Sequence, residues 1–229
     1  MKETLSLAKK SLKETPVIGP LLVRLWVRMH TVRGSAHYWE QRYKAGGNSG
    51  VGSYDRLAQF KADFLNRFVD ENHIATVIEF GSGDGAQLQL AKYPSYVGTD
   101  ISPTAVENCR RLFAADSTKH FMHSDALPPG TKADLALSLD VVYHLIEDSV
   151  FDAYMRRLFL SADRFVIVYS SNVDEKWTGS HVRHRQFTRW VEARMPHWRL
   201  HSVHRNAYPY DDRYPGQTSP ADFYVFARS

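Results

Sequence analysis

The chain has one cysteine, Cys109, in 229 residues. That excludes a disulfide framework and any Cys-x-x-Cys zinc site, and it suits a reducing compartment. Glycine and proline number 13 and 10, too few for a collagen-like or low-complexity chain. Long apolar runs are also missing. The best stretch, residues 16–29, is short and broken by Arg24 and Arg28, so it neither spans a bilayer nor reads as a secretory signal. Most of the chain lacks a charge excess: the total is +4, and residues 34–229 carry −1. Such a body is not a broadly basic nucleic-acid binder, and no nucleic-acid partner, RNA included, is expected.

Apolar residues make up 43%, with five Trp, twelve Tyr and twelve Phe. A chain of this length buries a proper core without staples. The positive charge collects in residues 1–33, where Lys2, Lys9, Lys10, Lys13, Arg24, Arg28 and Arg33 face only Glu3 and Glu14, a net +5. Leu21, Leu22, Leu25, Trp26 and Met29 share one helical face. A stripe of that kind beside basic charge suits a helix in a membrane interface, or one packed on the domain or a partner. The chain therefore divides into a basic amphipathic extension, 1–33, and one domain, 34–229. A cytoplasmic location is expected, with a peripheral place at the inner face of the membrane as an option.

Strand and helix signals alternate through the domain. A short aromatic helix, Tyr38-Trp39-Glu40-Gln41-Arg42-Tyr43, precedes a glycine-rich loop at 46–54 and an amphipathic helix striped by Leu57, Phe60, Phe64, Leu65 and Phe68. Strands are expected at 74–80, 96–100, 120–125, 133–140 and 164–170, and helices at 87–92, 104–115, 149–160 and 188–195. Ser102 and Pro103 read as the cap and first residue of the second of these helices. Residues 198–205 and 222–227 form a closing strand pair without a helical crossover. The alternation implies an α/β fold with a mostly parallel sheet, helices on both faces and an antiparallel hairpin at one edge.

The first strand ends Glu79-Phe80-Gly81-Ser82-Gly83-Asp84-Gly85. In an open α/β sheet, ligands sit beyond the carboxyl ends of the strands near the first one. Gly81, Gly83 and Ala86 fit the permissive dinucleotide spacing, yet Glu79 and Asp84 would repel a pyrophosphate. No Lys or Arg lies between residues 74 and 91 to offset them. A carboxylate at position 79 suits a cationic ligand such as S-adenosylmethionine. Asp100 ends the second strand about twenty residues after the first, where a carboxylate accepts both ribose hydroxyls or else caps the next helix. Asp125 ends the third strand, placed for an adenine amine or as a turn residue before Pro128.

These residues, with Ser138-Leu139-Asp140-Val141-Val142-Tyr143-His144-Leu145, resemble a class I S-adenosylmethionine-dependent methyltransferase. The resemblance implies a Rossmann-like seven-stranded sheet of order 3-2-1-4-5-7-6 with strand 7 antiparallel. It implies Glu79, Gly81, Ser82, Gly83 and Gly85 around the methionine part, Asp100 and Ile101 at the ribose, Asp125 and Ala126 at the adenine, and Leu139 near the methionine end. Trp39 and Tyr43 fall in the segment that resembles an aromatic fold over the cofactor. A weaker resemblance, carried by residues 38–43, 46–50 and 181–185, is to small bacterial methyltransferases associated with surface-polysaccharide and sugar modification. It implies a small-molecule or glycan acceptor and O-methylation of a sugar hydroxyl.

The Asn/Asp-Pro-Pro-Tyr signature of base and glutamine-amine methyltransferases is absent. On the acceptor side the candidates are Tyr143, His144, His181, Arg183 and His184. His144 reads as a general base with a pKa near ~6.5 or as a structural residue. His181 and His184 stand at a metal-pair spacing, but no acidic ligands are local and no metal is expected. Arg183, Arg185 and Arg189 read as an anion clamp or as a solvated loop, and Trp177 as a stacking platform or core. Other readings are N-methylation of a small metabolite, a non-catalytic cofactor-binding partner protein, and a nicotinamide-dependent reductase.

Overall fold

The structure, a computed structural model, describes residues 34–175 and 181–229. The amphipathic stretch 16–29 and Trp177 lie outside the described residues. Seven strands form one sheet: β1 (Thr76–Phe80), β2 (Ser95–Asp100), β3 (Lys119–His123), β4 (Ala133–Leu139), β5 (Ala162–Ser170), β6 (Trp198–His204) and β7 (Asp222–Arg228). Their order is β3-β2-β1-β4-β5-β7-β6. The first five are parallel, and β7 runs antiparallel to both β5 and β6. Order and polarity are those the resemblance implies.

Alternation along the strands builds two apolar layers. Ile78, Phe80, Val166, Val168 and Phe226 face α4 (Asp148–Leu160) and α5 (Phe187–Arg194), meeting Met155, Leu158, Phe159 and Val191. Val77, Leu135, Leu137, Ile167 and Val225 face the other layer, where α2 (Asp55–Glu71) and α3 (Pro103–Leu112) supply Leu65, Val69, Val106 and Cys109. The central strands are thus covered on both faces, which is why β4 reads as a nearly unbroken apolar run. The α3 start matches its sequence signature: Ser102 Oγ accepts from the Ala105 N–H at 3.1 Å, with Pro103 at the first helical position.

One expected helix is only a turn. Residues 87–92 form a four-residue 3₁₀ turn, Gln87–Leu90. Asn66 on α2 closes it from outside, donating to the Leu90 carbonyl and accepting from the Lys92 N–H. Pro94 then disfavours helical geometry at Tyr93. Two strands end earlier than expected. β3 stops at His123, leaving Asp125 in a 3₁₀ turn, and β4 stops at Leu139, leaving Asp140 left-handed at φ 59°.

The remaining helix, α1 (Gly34–Lys44), lies across the carboxyl edge of the sheet. At one end the Ser35 N–H and hydroxyl donate to Glu147, just before α4. Toward the other, Glu40 accepts from the Ser102 hydroxyl and from the N–H and hydroxyl of Thr104, at the start of α3. Burial raises the Glu40 pKa, but these donors and the Lys44 ammonium bring it down to about 2. A glycine-rich loop follows, and Asp84 fastens it. Its Oδ2 accepts from the Ser49 N–H at 2.8 Å and the Tyr54 hydroxyl at 2.7 Å, while Ser49 Oγ accepts from the Asp84 N–H.

Candidate active site

A cavity of about 460 Å³ opens at the carboxyl ends of β1, β2 and β4, under α1. This is the ligand position expected of an open parallel sheet. Two glycines shape its floor. Gly81 and Gly83 have φ of 89° and 58°, and a Cβ on them would collide with Val141 and with Ser49 respectively. Only glycine combines left-handed backbone with that closeness.

Of the cofactor candidates, Trp39, Tyr43, Glu79, Gly81, Ser82, Gly83, Asp100, Ile101 and Leu139 line the cavity. Gly85, Asp125 and Ala126 do not. Gly85 packs toward Phe113 and Cys109. Asp125 is 81% exposed beside His123, because β3 ends two residues before it. Its neighbour Ser124 is the residue of that turn in the wall.

Asp100 ties two backbone segments together in the cavity wall. Oδ1 accepts from the Ser102 N–H at 2.8 Å, organising the approach to α3, and Oδ2 accepts from the Gly83 N–H at 2.9 Å, setting the glycine loop. Each carboxylate oxygen keeps a further acceptor position. Burial raises the Asp100 pKa against those two backbone donors. Burial likewise pushes Glu79 up to about 7, although the Tyr96 hydroxyl, 2.6 Å away, and the Lys61 ammonium pull it down. Two under-compensated carboxylates in one wall make the cavity favourable to a cation.

Lys61 was not among the sequence candidates. It projects from α2 into the wall, only 1% exposed, and its Nζ lies 2.6 Å from Asp140 Oδ2. Asp140 Oδ1 accepts from the Tyr143 hydroxyl at 2.8 Å. The sequence does carry a signal: Leu57, Lys61 and Leu65 are spaced four apart, which puts a lysine on the apolar stripe of α2. Gln87 also lines the cavity. Its Nε2 donates to the Ala58 carbonyl, and its buried Oε1 has no protein partner.

On the acceptor side, His144 alone of the five candidates lines the cavity. Its Nδ1 lies 2.9 Å from the His181 carbonyl oxygen. A carbonyl only accepts, so Nδ1 carries the proton and Nε2 is left as an acceptor. Burial drives the imidazole down to about 4, against the hydrogen bond to His181 that raises it. The pKa near 6.5 expected from sequence is corrected accordingly: the group is neutral at physiological pH.

The other four candidates support His144 or its surroundings from outside the wall. His181 stacks between Tyr38 and His144, at centroid distances of 4.9 and 5.7 Å. Tyr143 is occupied with Asp140. His184 Nδ1 bonds Ser171 Oγ. Arg183 reaches the Ile146 carbonyl and Asp148, and Arg185 binds the carbonyls of Leu145 and Ile146 and Asp148 as well. These arginines staple the 181–185 loop to the turn before α4, and neither lines the cavity. Arg189 lies 3.9 Å from Asp174. Among the described residues, no group of three or more His, Cys, Asp or Glu is placed to hold a metal ion.

Comparison with known proteins agrees with this geometry. A family described as a methyltransferase domain matches residues 54–209, and the chain belongs to that family. Among solved structures it is similar to a magnesium protoporphyrin IX methyltransferase from Synechocystis PCC 6803 with bound SAH, at 16% identity and TM-score 0.57, over 76% of this chain and 85% of that one. It is also similar to the methyltransferase domain of bacterial CtHen1-C, at 18% identity and TM-score 0.58, over 76% and 100%. A third is the mitomycin 7-O-methyltransferase MmcR, at 15% identity and TM-score 0.54, over 76% and 55%. At such identities these likenesses concern the fold. No curated protein matches the chain.

Proposed function

We propose that this chain transfers a methyl group from S-adenosylmethionine to a small molecule or glycan, with a sugar hydroxyl as the acceptor. The observation that carries the donor assignment is the pair of buried carboxylates, Glu79 and Asp100, on either side of a glycine loop without a nearby cation in sequence. A pyrophosphate would need the opposite charge and a helix N-terminus. Here the loop leads into a 3₁₀ turn of four residues instead. The cavity volume falls in the range of small-molecule sites, and the unpartnered Gln87 Oε1 supplies an additional acceptor for a polar ligand.

When bound, the donor supplies an activated methyl on a sulfonium. The protein's own part is then largely placement. Asp100 holds ribose hydroxyls, Glu79 sits near the positive end, and the Lys61 ammonium has donors left for a carboxylate beyond its bond to Asp140. α1 puts Trp39 and Tyr43 in the cavity wall beside the bound donor. His144, neutral and fixed in one tautomer, accepts from the acceptor's O–H through Nε2 and aligns its lone pair.

The depressed pKa of His144 favours a second reading, N-methylation. An imidazole titrating at about 4 is a weak base for a hydroxyl, whereas an amine present as free base needs only alignment. Product analysis after incubating enzyme, isotopically labelled donor and a cell extract separates the two. A labelled methyl ether on a sugar supports the first reading, and a labelled methylamine replaces it with the second. No transferred label at all, with the donor product still binding, would make this a cofactor-binding partner rather than an enzyme.

A further inference from the structure

The charges around the cavity do not balance. Among the described residues, Glu79, Asp100, Asp140 and Glu147 line it against one ammonium, that of Lys61. Asp140 takes that ammonium, with Lys61 Nζ 2.6 Å from its Oδ2. Glu147 accepts from the N–H and hydroxyl of Ser35. Glu79 and Asp100 are left, each 6% exposed, on the paired strands β1 and β2. Two buried like charges without a cation of their own do not both stay ionised.

Their surroundings decide which of the two holds a proton. Asp100 accepts from the backbone N–H groups of Gly83 and Ser102, and such donors favour a charged carboxylate. Glu79 instead meets the Tyr96 hydroxyl, 2.6 Å from its Oε2. The other titratable groups facing Glu79 bring no charge to it. They are Tyr93 before β2, Cys109 on α3 and Tyr154 on α4, and burial raises all three, as it raises Tyr96. Burial also raises Glu79 and Asp100 raises it further, while Tyr96 and the Lys61 ammonium on α2 lower it, leaving it at about 7.

Fresh and spent donor differ by one charge. S-adenosylmethionine has a sulfonium beside its zwitterionic amino-acid head. S-adenosylhomocysteine keeps the head and has a neutral thioether. A round cavity of about 460 Å³ is about 10 Å across, and a unit charge at that distance, with an effective dielectric of about 20, favours ionisation about 15-fold. A sulfonium inside the cavity acts on Glu79 from that distance or less.

Resting on the reading of this cavity as the donor site, we infer that Glu79 holds a proton in the empty site and gives it to solvent when S-adenosylmethionine binds. The O–H bond breaks with its electron pair left on the carboxylate, so the sulfonium meets a full negative charge. S-adenosylhomocysteine leaves most of that proton in place. Glu79 is thus a specificity-determining residue that tells fresh donor from spent donor by charge. The preference grows with pH, because ionising Glu79 opposes donor binding only while its proton is still held.

Calorimetric titration of the full chain at pH 6.5 in PIPES and in bis-Tris tests this. The two buffers differ in ionisation enthalpy, so the difference in heat counts protons. S-adenosylmethionine should release roughly half a proton or more, and S-adenosylhomocysteine clearly less. From pH 5.5 to 7 the affinity for S-adenosylmethionine relative to S-adenosylhomocysteine should rise roughly 5-fold. Glu79→Gln keeps an acceptor for the Tyr96 hydroxyl and cannot ionise. It should remove both the proton release and the pH dependence of the ratio. Its melting temperature shows whether it folds, and if it does not, the wild-type counts decide alone. Equal proton counts for the two ligands, or a ratio level across that pH range, overturns the inference and leaves the donor site standing. Failure of both ligands to bind overturns the donor site itself and the inference with it.

Discussion

Replacing Lys61 with methionine keeps most of the side-chain volume and removes the ammonium. What is left behind is the Asp140 carboxylate, which then keeps only the Tyr143 hydroxyl. Lys61 is 1% exposed and the Asp140 side chain 13%, so little water is available to replace the lost partner. Breaking one side of a buried pair of this kind costs about 3–5 kcal/mol, a large part of the roughly 5–15 kcal/mol that holds a domain folded. Urea unfolding measures it as a midpoint shift of about 1–2 M, for slopes of roughly 2–3 kcal/mol/M. Asp140→Asn should be costly in the same way. The double variant Lys61→Met/Asp140→Asn should recover much of the loss, giving a coupling of at least ~2 kcal/mol in the cycle. Singles that each cost under ~1 kcal/mol and add without coupling would show a solvent-screened pair and refute the reasoning.

Three more outcomes follow from the site. His144→Ala should lower turnover by about 10²-fold or more with donor-product affinity intact; the wild-type rate should rise with pH through about 4 and stay level from pH 5 to 8, and a rise through ~6.5 would contradict the buried imidazole. Glu79, raised to about 7 when folded, contributes stability that is complete below its unfolded value near 4.5 and is lost as pH rises through 7; Glu79→Gln should abolish that decline in thermal melts between pH 5 and 8, and an unchanged decline would assign it elsewhere. Glu40→Ala removes acceptors at the start of α3 and should cost about 1 kcal/mol while shifting Trp39 emission to the red as α1 loosens; unchanged emission would mean that Glu147 alone holds the helix.

Much of the fold was readable because it rests on local patterns. The apolar run of β4, the glycines after β1 and the Ser102–Pro103 cap each decide their element within a few residues. What escaped depends on distant partners. Asp84 read as a charge facing a ligand, yet Ser49 and Tyr54 arrive from another loop to occupy it. The arginines at 183 and 185 read as an anion clamp or a solvated loop, and carbonyls about forty positions away tie them to the turn before α4. Asp125 read as a strand-end acid, but one turn of 3₁₀ geometry sends it to solvent. His144 was legible as a position and not as a pKa, since its burial comes from Trp39 and His181, on two other segments. Lys61 could have been found, because a lysine on the apolar face of an amphipathic helix needs a buried partner.

The central claim is that the cavity holds S-adenosylmethionine, with Asp100 on its ribose. Calorimetric titration of the full chain with S-adenosylhomocysteine and, separately, with NAD addresses it directly. S-adenosylhomocysteine should bind at one site and NAD should give no heat of binding. Asp100→Asn, which keeps the shape of the side chain and removes its charge, should weaken S-adenosylhomocysteine about 10–100-fold, as expected when hydrogen bonds to a charged group are lost. Binding of NAD in place of S-adenosylhomocysteine, or a folded Asp100→Asn protein with wild-type affinity, would contradict the account.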